Sequence, residues 1–594
     1  MSSHFQSHPK SAGVTGRPAL SLLMMAAAAA VPSLCFGEIA RRNLIDDYIF
    51  GKMERDQVPH APLANDAEFL RRVTLDLTGR IPTPGQVREF LKDPDPGKRD
   101  KVVDSLIPAL PIEGVSRRKE QPFLDRWTYF FSDLFRNNAQ NEQGIPAFRN
   151  YIYKTLELGI PYDDFARDMI TSSALSNWTT GPANFISRNR VMEGDGYRMN
   201  HEDTCDEIAL WSTKIFLGVN TECISCHDGA GHLEKINLWL SRKKRADFWR
   251  QASFFGKTSI GPVFGRQQEF IVRDAGAGYS PRAGYDSGYS LTSRSSLRVP
   301  RYQAEITPAF ILNGEKAQPG ERERQAFARL LTSDPQFARA AVNLFWAEFM
   351  GRGIVDPPFG FDMDRQDPGH PPPAPWTIQP SHPELLNALA ADFIKHNYDL
   401  RHLFKLIVKS NAYQLSWDFA RKWEARYDDY FARHIVRRLG PEQLWDAVQQ
   451  ASGIHRDYAI KYTALKGKYL MQAHYLDWGE TGRLQDLLVC FGQTDREDNG
   501  SSDRSSLLQA AHLLNNSLVL NQVKAEKGSR LEKLLAKPDK ELVEELFLAT
   551  IGRFPASEEE RMSLALLDKT GNRREAAEDL LWALVNRVDF IFNR

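Results

Sequence analysis

Apolar residues return at three- and four-residue steps along almost the whole of this chain of 594 residues, and that spacing commits most of it to helix. Leu44, Ile45, Tyr48 and Ile49 follow the pattern, as do Phe69, Leu70, Val73, Leu75 and Leu77. Gly79 and Pro82 stop the second of these helices, and Thr83-Pro84 opens the next as N-cap and first-turn proline. The expected fold class is therefore predominantly α, a multi-helical chain. The length exceeds what one core usually holds, so about two to four domains are expected.

Composition narrows the class of protein. With 42% hydrophobic and 26% charged residues the chain is neither disordered nor collagen-like. Lysine plus arginine equals aspartate plus glutamate, 76 against 76, which removes any bulk electrostatic reason to expect nucleic acid or an anionic membrane as partner. Five cysteines cannot staple a chain of this size, so their spacing matters more than their number.

Residues 1–18 are polar with Lys10 and Arg17 and no acid, and an apolar run from Ala19 to Val31 follows. The small residue Gly37 then precedes charged chain at Glu38. This order reads as a secretory leader over residues 1–37. A retained anchor would want about 20 strongly apolar residues, and this run is shorter and alanine-rich. Leu34 before Cys35 is bulkier than a lipobox allows. The expected product is periplasmic or secreted, with no integral membrane segment once the leader is removed.

Behind the leader, a helical domain is expected over 38–256, a β or irregular connector over 257–320, and a second helical domain over 321–594. The connector is rich in Gly, Ser, Arg and Tyr. Phe270-Ile-Val272 and Gln303–Ile306 read as short strands, with a mobile portion around Ala275 to Ser295. The Pro-rich stretch Asp364–Pro383 cannot be helix. Phe69–Pro84 can be laid on Leu542–Ser557, so that Gly79-Arg80-x-Pro82 falls on Gly552-Arg553-x-Pro555. Duplication and convergent capping chemistry both account for that match, and in either case the arginines are expected to bond helix-end carbonyls.

One motif carries sharp chemistry. Cys223-Ile-Ser-Cys226-His227 is C-x-x-C-H, in which two thiols can add to the vinyl groups of a haem and the adjacent imidazole becomes the proximal iron ligand. Such attachment happens after export, where the leader sends the chain. One covalent haem c is the expected cofactor, held by Cys223 and Cys226 with His227 on the iron. Candidates for the distal position are Met192, Met199, His201 and His232. Three other uses of the motif stay open. A zinc site lacks a second C-x-x-C or an H-x-x-x-H, a thioredoxin-type pair lacks a βαβ context, and a Cys223–Cys226 disulfide would close a very tight loop. A Cys205–Cys490 bridge is a further option.

Weaker constellations are the acidic loop Asp362, Asp364 and Asp367 with His370 and His382, and the polar stretch Asp495–Asp503. The first could bind a cation, although a solvated loop is the simpler reading. No nucleophile-elbow, P-loop or dinucleotide motif is present.

Several stretches together resemble a known family. Ile45–Leu91, with RRVTLDLTGRIPTPGQVREFL, and Phe216–Asp228 are similar to the first of two paired domains of unknown function in secreted, cytochrome c-like proteins of planctomycete type. Phe327–Pro357, Pro380–Leu386, Asp399–Ser410, Arg437–Leu444 and Asp495–Glu497 leading to Leu514–Asn516 resemble the second. The resemblance implies an exported, largely helical protein carrying C-x-x-C-H-D, and it brings no substrate. Many members bear an additional small cytochrome module, whereas this chain has a single C-x-x-C-H. The family's usual C-H-D-H is replaced here by His227-Asp-Gly-Ala-Gly-His232.

The leading expectation is thus an exported c-type haem protein transferring electrons with a partner oxidoreductase. Two others stand beside it. One is an extracytoplasmic enzyme, acting for example on polysaccharide, with haem or metal in a cleft between the domains. The other is a binding or scaffold protein in which the C-x-x-C is structural.

Overall fold

The computed structural model describes residues 39–110, 121–192, 199–274, 289, 298, 306–460, 462–473, 482–493, 507–569 and 571–594. The expected leader, the strand expected at Gln303–Ile306 (save Ile306) and the Asp495–Asp503 stretch lie outside them, as does the segment from Ala275 to Ser295 except Tyr289.

Local chemistry sets the first helices. α1 (Leu44–Arg55) starts where the Asn43 side chain accepts the Ile45 N–H. α2 (Asp66–Thr78) begins under Asn65 and ends at Gly79, whose φ of 68° is the left-handed cap that glycine supplies without strain. α3 (Pro84–Lys92) opens as expected, with Thr83 and Gln86 forming a reciprocal capping box. α4 (Lys98–Leu106), α5 (Pro122–Leu134), α6 (Gly144–Leu158), α7 (Tyr162–Thr171), α8 (Ala183–Arg188) and α9 (His201–Leu217) continue the helical run. Three short helices follow: α10 (Glu222–Cys226), α11 (Leu238–Ser241) and α12 (Arg245–Ala252).

The connector then forms an antiparallel hairpin of β1 (Thr258–Val263) and β2 (Arg266–Asp274), with Thr258 opposite Asp274 and a register shift at Pro262/Val263. The strand expected at Phe270–Val272 is thus part of β2. Helices return with α13 (Glu323–Ser333), α14 (Pro335–Met350), α15 (Pro383–Lys395), α16 (Leu400–Val408) and α17 (Pro441–Ser452), and they continue to Ile591. The architecture is predominantly α.

One aromatic core joins the two halves. Trp127 on α5 stacks at 4.1 Å on Phe404 of α16, and Phe131 meets Phe345 of α14 at 5.9 Å. Phe216 at the end of α9 lies 6.1 Å from Phe337 of α14, which in turn packs on Tyr162 of α7 at 5.4 Å. Rings of this size bury enough apolar surface to bind helices from distant parts of the sequence into one body. Residues 41–594 accordingly form a single compact unit.

The arginines of the α2 segment serve the same end. Arg72 is fully buried and donates to the carbonyls of Tyr413, Leu415 and Arg594 and to Glu68, at 2.7–2.9 Å. Arg71 donates to the Thr550 and Phe590 carbonyls, both at 2.8 Å. Arg80 and Arg553 also engage carboxylates, which the expectation did not include. Arg80 pairs with Asp125 at 3.1 Å, and Arg553 pairs with Glu559 at 2.6 Å while donating to the Phe554 carbonyl at 3.1 Å. A carboxylate in reach of a guanidinium accepts a stronger bond than a neutral carbonyl does.

Candidate functional site

The C-x-x-C-H motif sits between two anchored helices. α9 is capped by Asn200 at its start, and Gly218 (φ 68°) ends it and turns the chain toward α10. The Asn220 side chain accepts the Glu222 N–H at 3.1 Å and starts the short helix that carries both cysteines. Cys223 and Cys226 are free and exposed, one helical turn apart, while Ile224 and Ser225 between them are buried.

Ser225 is the rivet under the motif. Its Oγ receives the Arg298 Nε–H at 2.9 Å, and its carbonyl receives the Arg245 Nε–H at 3.1 Å. Arg298 is itself held by Glu207 on α9. The buried side of α10 is therefore fixed by charge-assisted bonds, and the thiols are left on the solvent side. Burial and the neighbouring Glu222 push the Cys223 thiol above its ordinary pKa. It is held as a thiol, unlike the depressed-pKa cysteines of disulfide oxidoreductases.

His227 closes the helix. Its Nδ1 lies 2.7 Å from the Asp228 carbonyl, which can only accept, so Nδ1 carries a hydrogen and in the neutral ring Nε2 has the lone pair. Metal-ligating histidines are oriented in this way by a backbone carbonyl. Asp228 accepts the Arg245 N–H at 2.8 Å, and Gly229 donates to the Lys243 carbonyl at 2.9 Å. A Cβ on Gly229 would run into the Leu240 carbonyl oxygen. The place where C-H-D-H would put its second histidine is thus pressed against backbone, and only glycine fits.

The Gly229–Leu233 turn instead brings His232 back, its ring 4.4 Å from that of His227 with the planes inclined by 48°. The two rings are in direct contact. Met192 and Met199 pair with each other in an isolated bridge. His201 is buried at the start of α9, with Nε2 2.8 Å from the Gly256 carbonyl. Among the described residues, only His232 makes ring contact with His227.

The fit to covalent haem rests on the donor set: two free exposed thiols at the right spacing and an imidazole whose tautomer is fixed. The rival uses fit less well. The motif's thiols and imidazoles do not close into a set of three mutually adjacent ligand atoms, as a structural zinc would need. Neither Cys223–Cys226 nor Cys205–Cys490 is bonded, and Cys205 is buried with its thiol on the Phe255 carbonyl at 3.3 Å.

The acidic loop read from the sequence is structural. Asp362 is buried rather than solvated, and its carboxylate accepts the Leu238 and Trp239 N–H groups at 2.6 and 3.0 Å, capping α11. Asp364 pairs with Arg242, and Asp367 with His370. His382 is buried, and desolvation lowers its pKa to about 3. A cavity of about 360 Å³ is lined by both halves of the chain, including Asp76, Arg126, Glu348, Arg437 and Asn593, and by none of the C-x-x-C-H residues. Several of its ionic groups pair within the cavity wall: Arg126 pairs with Glu348, and Asp76 accepts from Arg437, Tyr413 and Asn593. Sequence spacing passed over one further group, Asp392, His396 and His402, which the structure brings within ligand distance of one another. Its only trace in sequence is Asp392-x-x-x-His396, one helical turn.

Residues 44–259 match the family model PSCyt2, described as a protein of unknown function (DUF1549). Residues 323–373 and 376–567 match PSD1, likewise described as a protein of unknown function (DUF1553). The chain belongs to this paired-domain family. In the paired-domain protein the whole C-x-x-C-H turn, with α9 before it and α12 after it, falls in the PSCyt2 region, and the hairpin β1–β2 marks its end. No curated protein and no solved structure matches the chain. Among the described residues no helix is long and apolar enough to cross a membrane.

Proposed function

We propose that the protein is an exported c-type haem protein that exchanges electrons with a partner oxidoreductase. Cys223 and Cys226 would hold the haem by thioether bonds, and His227 Nε2 would be the proximal ligand. Haem bound there supplies a one-electron couple whose potential is set by its ligands and exposure.

The observation that carries the reading is the pairing of free, exposed thiols with a histidine whose Nδ1 is committed to the Asp228 carbonyl. The chain's own part is positional. Arg245 and Arg298 clamp Ser225, so both sulfurs are presented from a fixed turn. With both thiols exposed, the attached group would be within reach of a partner protein. The leader expected over residues 1–37 supplies the export.

Production in a host able to ligate haem, followed by acid–acetone extraction, tests this. The expected result is a Soret band that stays with the polypeptide and is lost in a Cys223→Ser, Cys226→Ser double variant. Pigment that extracts into the solvent, or a colourless wild-type protein, contradicts it.

A further inference from the structure

We propose that Asp392, His396 and His402 form a binding site for a divalent first-row transition ion of the zinc class, separate from the C-x-x-C-H turn. Asp392 and His396 lie one turn apart at the end of α15, where His396 is the C-cap. Asn397 and Tyr398 both take left-handed φ, 54° and 53°, and reverse the chain sharply. Asp399 then caps α16, which places His402 in its first turn and facing back toward α15.

The result is three donors converging from two helices. His402 Nε2 is 2.7 Å from Asp392 Oδ2, and His396 Nδ1 is 3.3 Å from Asp392 Oδ1. The two imidazoles stack with centroids 3.7 Å apart and planes 19° from parallel. All three ligand atoms lie within 4.8 Å of one another. A tetrahedral ion with bonds of about 2.0–2.1 Å sets its ligands roughly 3.3 Å apart, the separation His396 already has from the carboxylate, whereas His402 is hydrogen-bonded at 2.7 Å and would draw back by about half an ångström. Two imidazoles and one carboxylate suit zinc, copper or nickel better than calcium or magnesium, which prefer oxygen alone.

Coordination asks for movement of side chains. The stacked rings must fan apart so that each turns an in-plane lone pair to the ion and carries its hydrogen on the other ring nitrogen, while His396 gives up its 2.8 Å bond to the Asp392 carbonyl and His402 its 2.7 Å bond to the Asp392 carboxylate. His396 is exposed and the other two are half-buried, so water completes the coordination, as in three-ligand zinc sites that keep an open position. The ion would tie the end of α15 to the start of α16.

Calorimetric titration of the full chain with Zn²⁺ tests the site. The expected result is one equivalent bound by the wild type that is missing from a His396→Ala, His402→Ala variant with unchanged circular dichroism. Equal zinc uptake by both proteins overturns the proposal. Co²⁺ provides a second readout on the wild type that needs no variant to fold. Bound at this site it gives d–d bands without thiolate-to-metal charge transfer, and its X-ray absorption shows imidazole and no sulfur. Sulfur ligation of that equivalent, abolished by Cys223→Ser, contradicts the proposal.

Discussion

The ring of His232 packs directly on that of His227, with centroids 4.4 Å apart, although five residues separate them in the chain. The contact exists because Gly229 lies against the Leu240 carbonyl and the Gly231 backbone takes a φ of 85°, a conformation open to glycine. On the proposed reading His232 would support the proximal side and would not be the second axial ligand. A His232→Ala variant is expected to retain covalent pigment with visible bands at wild-type positions. A shift of those bands to a spectrum lacking one strong-field ligand would show that His232 reaches the iron.

Gly229 itself is predicted to tolerate no side chain. Gly229→Ala forces backbone apart at the turn that fixes Asp228, since the atoms it meets belong to Leu240 and Ser241 backbone and cannot swing away. Overpacking of this kind costs about 1–3 kcal/mol. A lower denaturant midpoint at unchanged slope is the expected reading, and a midpoint within error of wild type would mean the turn is not so constrained.

Arg72 is predicted to be a principal tie between the ends of the chain. Arg72→Met leaves the Tyr413, Leu415 and Arg594 carbonyls and Glu68 without their buried donor. Breaking a buried charge network from one side costs about 3–5 kcal/mol. Equilibrium unfolding should show a loss of that order, and a loss below about 1 kcal/mol would remove Arg72 from the account.

Stability should also fall with rising pH because of Asp446. Burial raises its pKa to about 8, against the lowering effect of the Leu470 and Met471 N–H groups. The folded protein thus keeps a proton that the unfolded chain releases near pH 4. The contribution is fully present below pH 4 and is lost as the pH climbs through about 8. Asp446→Asn cannot titrate, so its midpoint should vary less than wild type's between those limits. Parallel midpoint-against-pH curves for the two proteins would sink this prediction.

Local features of this fold could be read directly from residues. Thr83-Pro84 and Gly79 act where their side chains and backbone freedom predict, because capping depends on near neighbours. The roles of Arg80 and Arg553 could not be read, since each is decided by a carboxylate that only the folded chain brings within reach. Asp362 looks like a loop acid in sequence and is a buried cap, for a helix more than 120 residues earlier. At the candidate site the C-x-x-C-H spacing was plain. The choice among Met192, Met199, His201 and His232 was not, because spacing along the chain does not say which side chain folding brings near His227. Asp392, His396 and His402 escaped notice for the same reason: their convergence depends on a reversal at Asn397-Tyr398 that no periodicity announces.

The central claim is that Cys223 and Cys226 carry a covalently bound haem. Intact mass of the protein purified from a host competent for haem ligation addresses it most directly. The account predicts the mass of the processed polypeptide plus one haem, reverting to polypeptide alone when both cysteines are replaced by serine. A wild-type protein at bare polypeptide mass from such a host contradicts it.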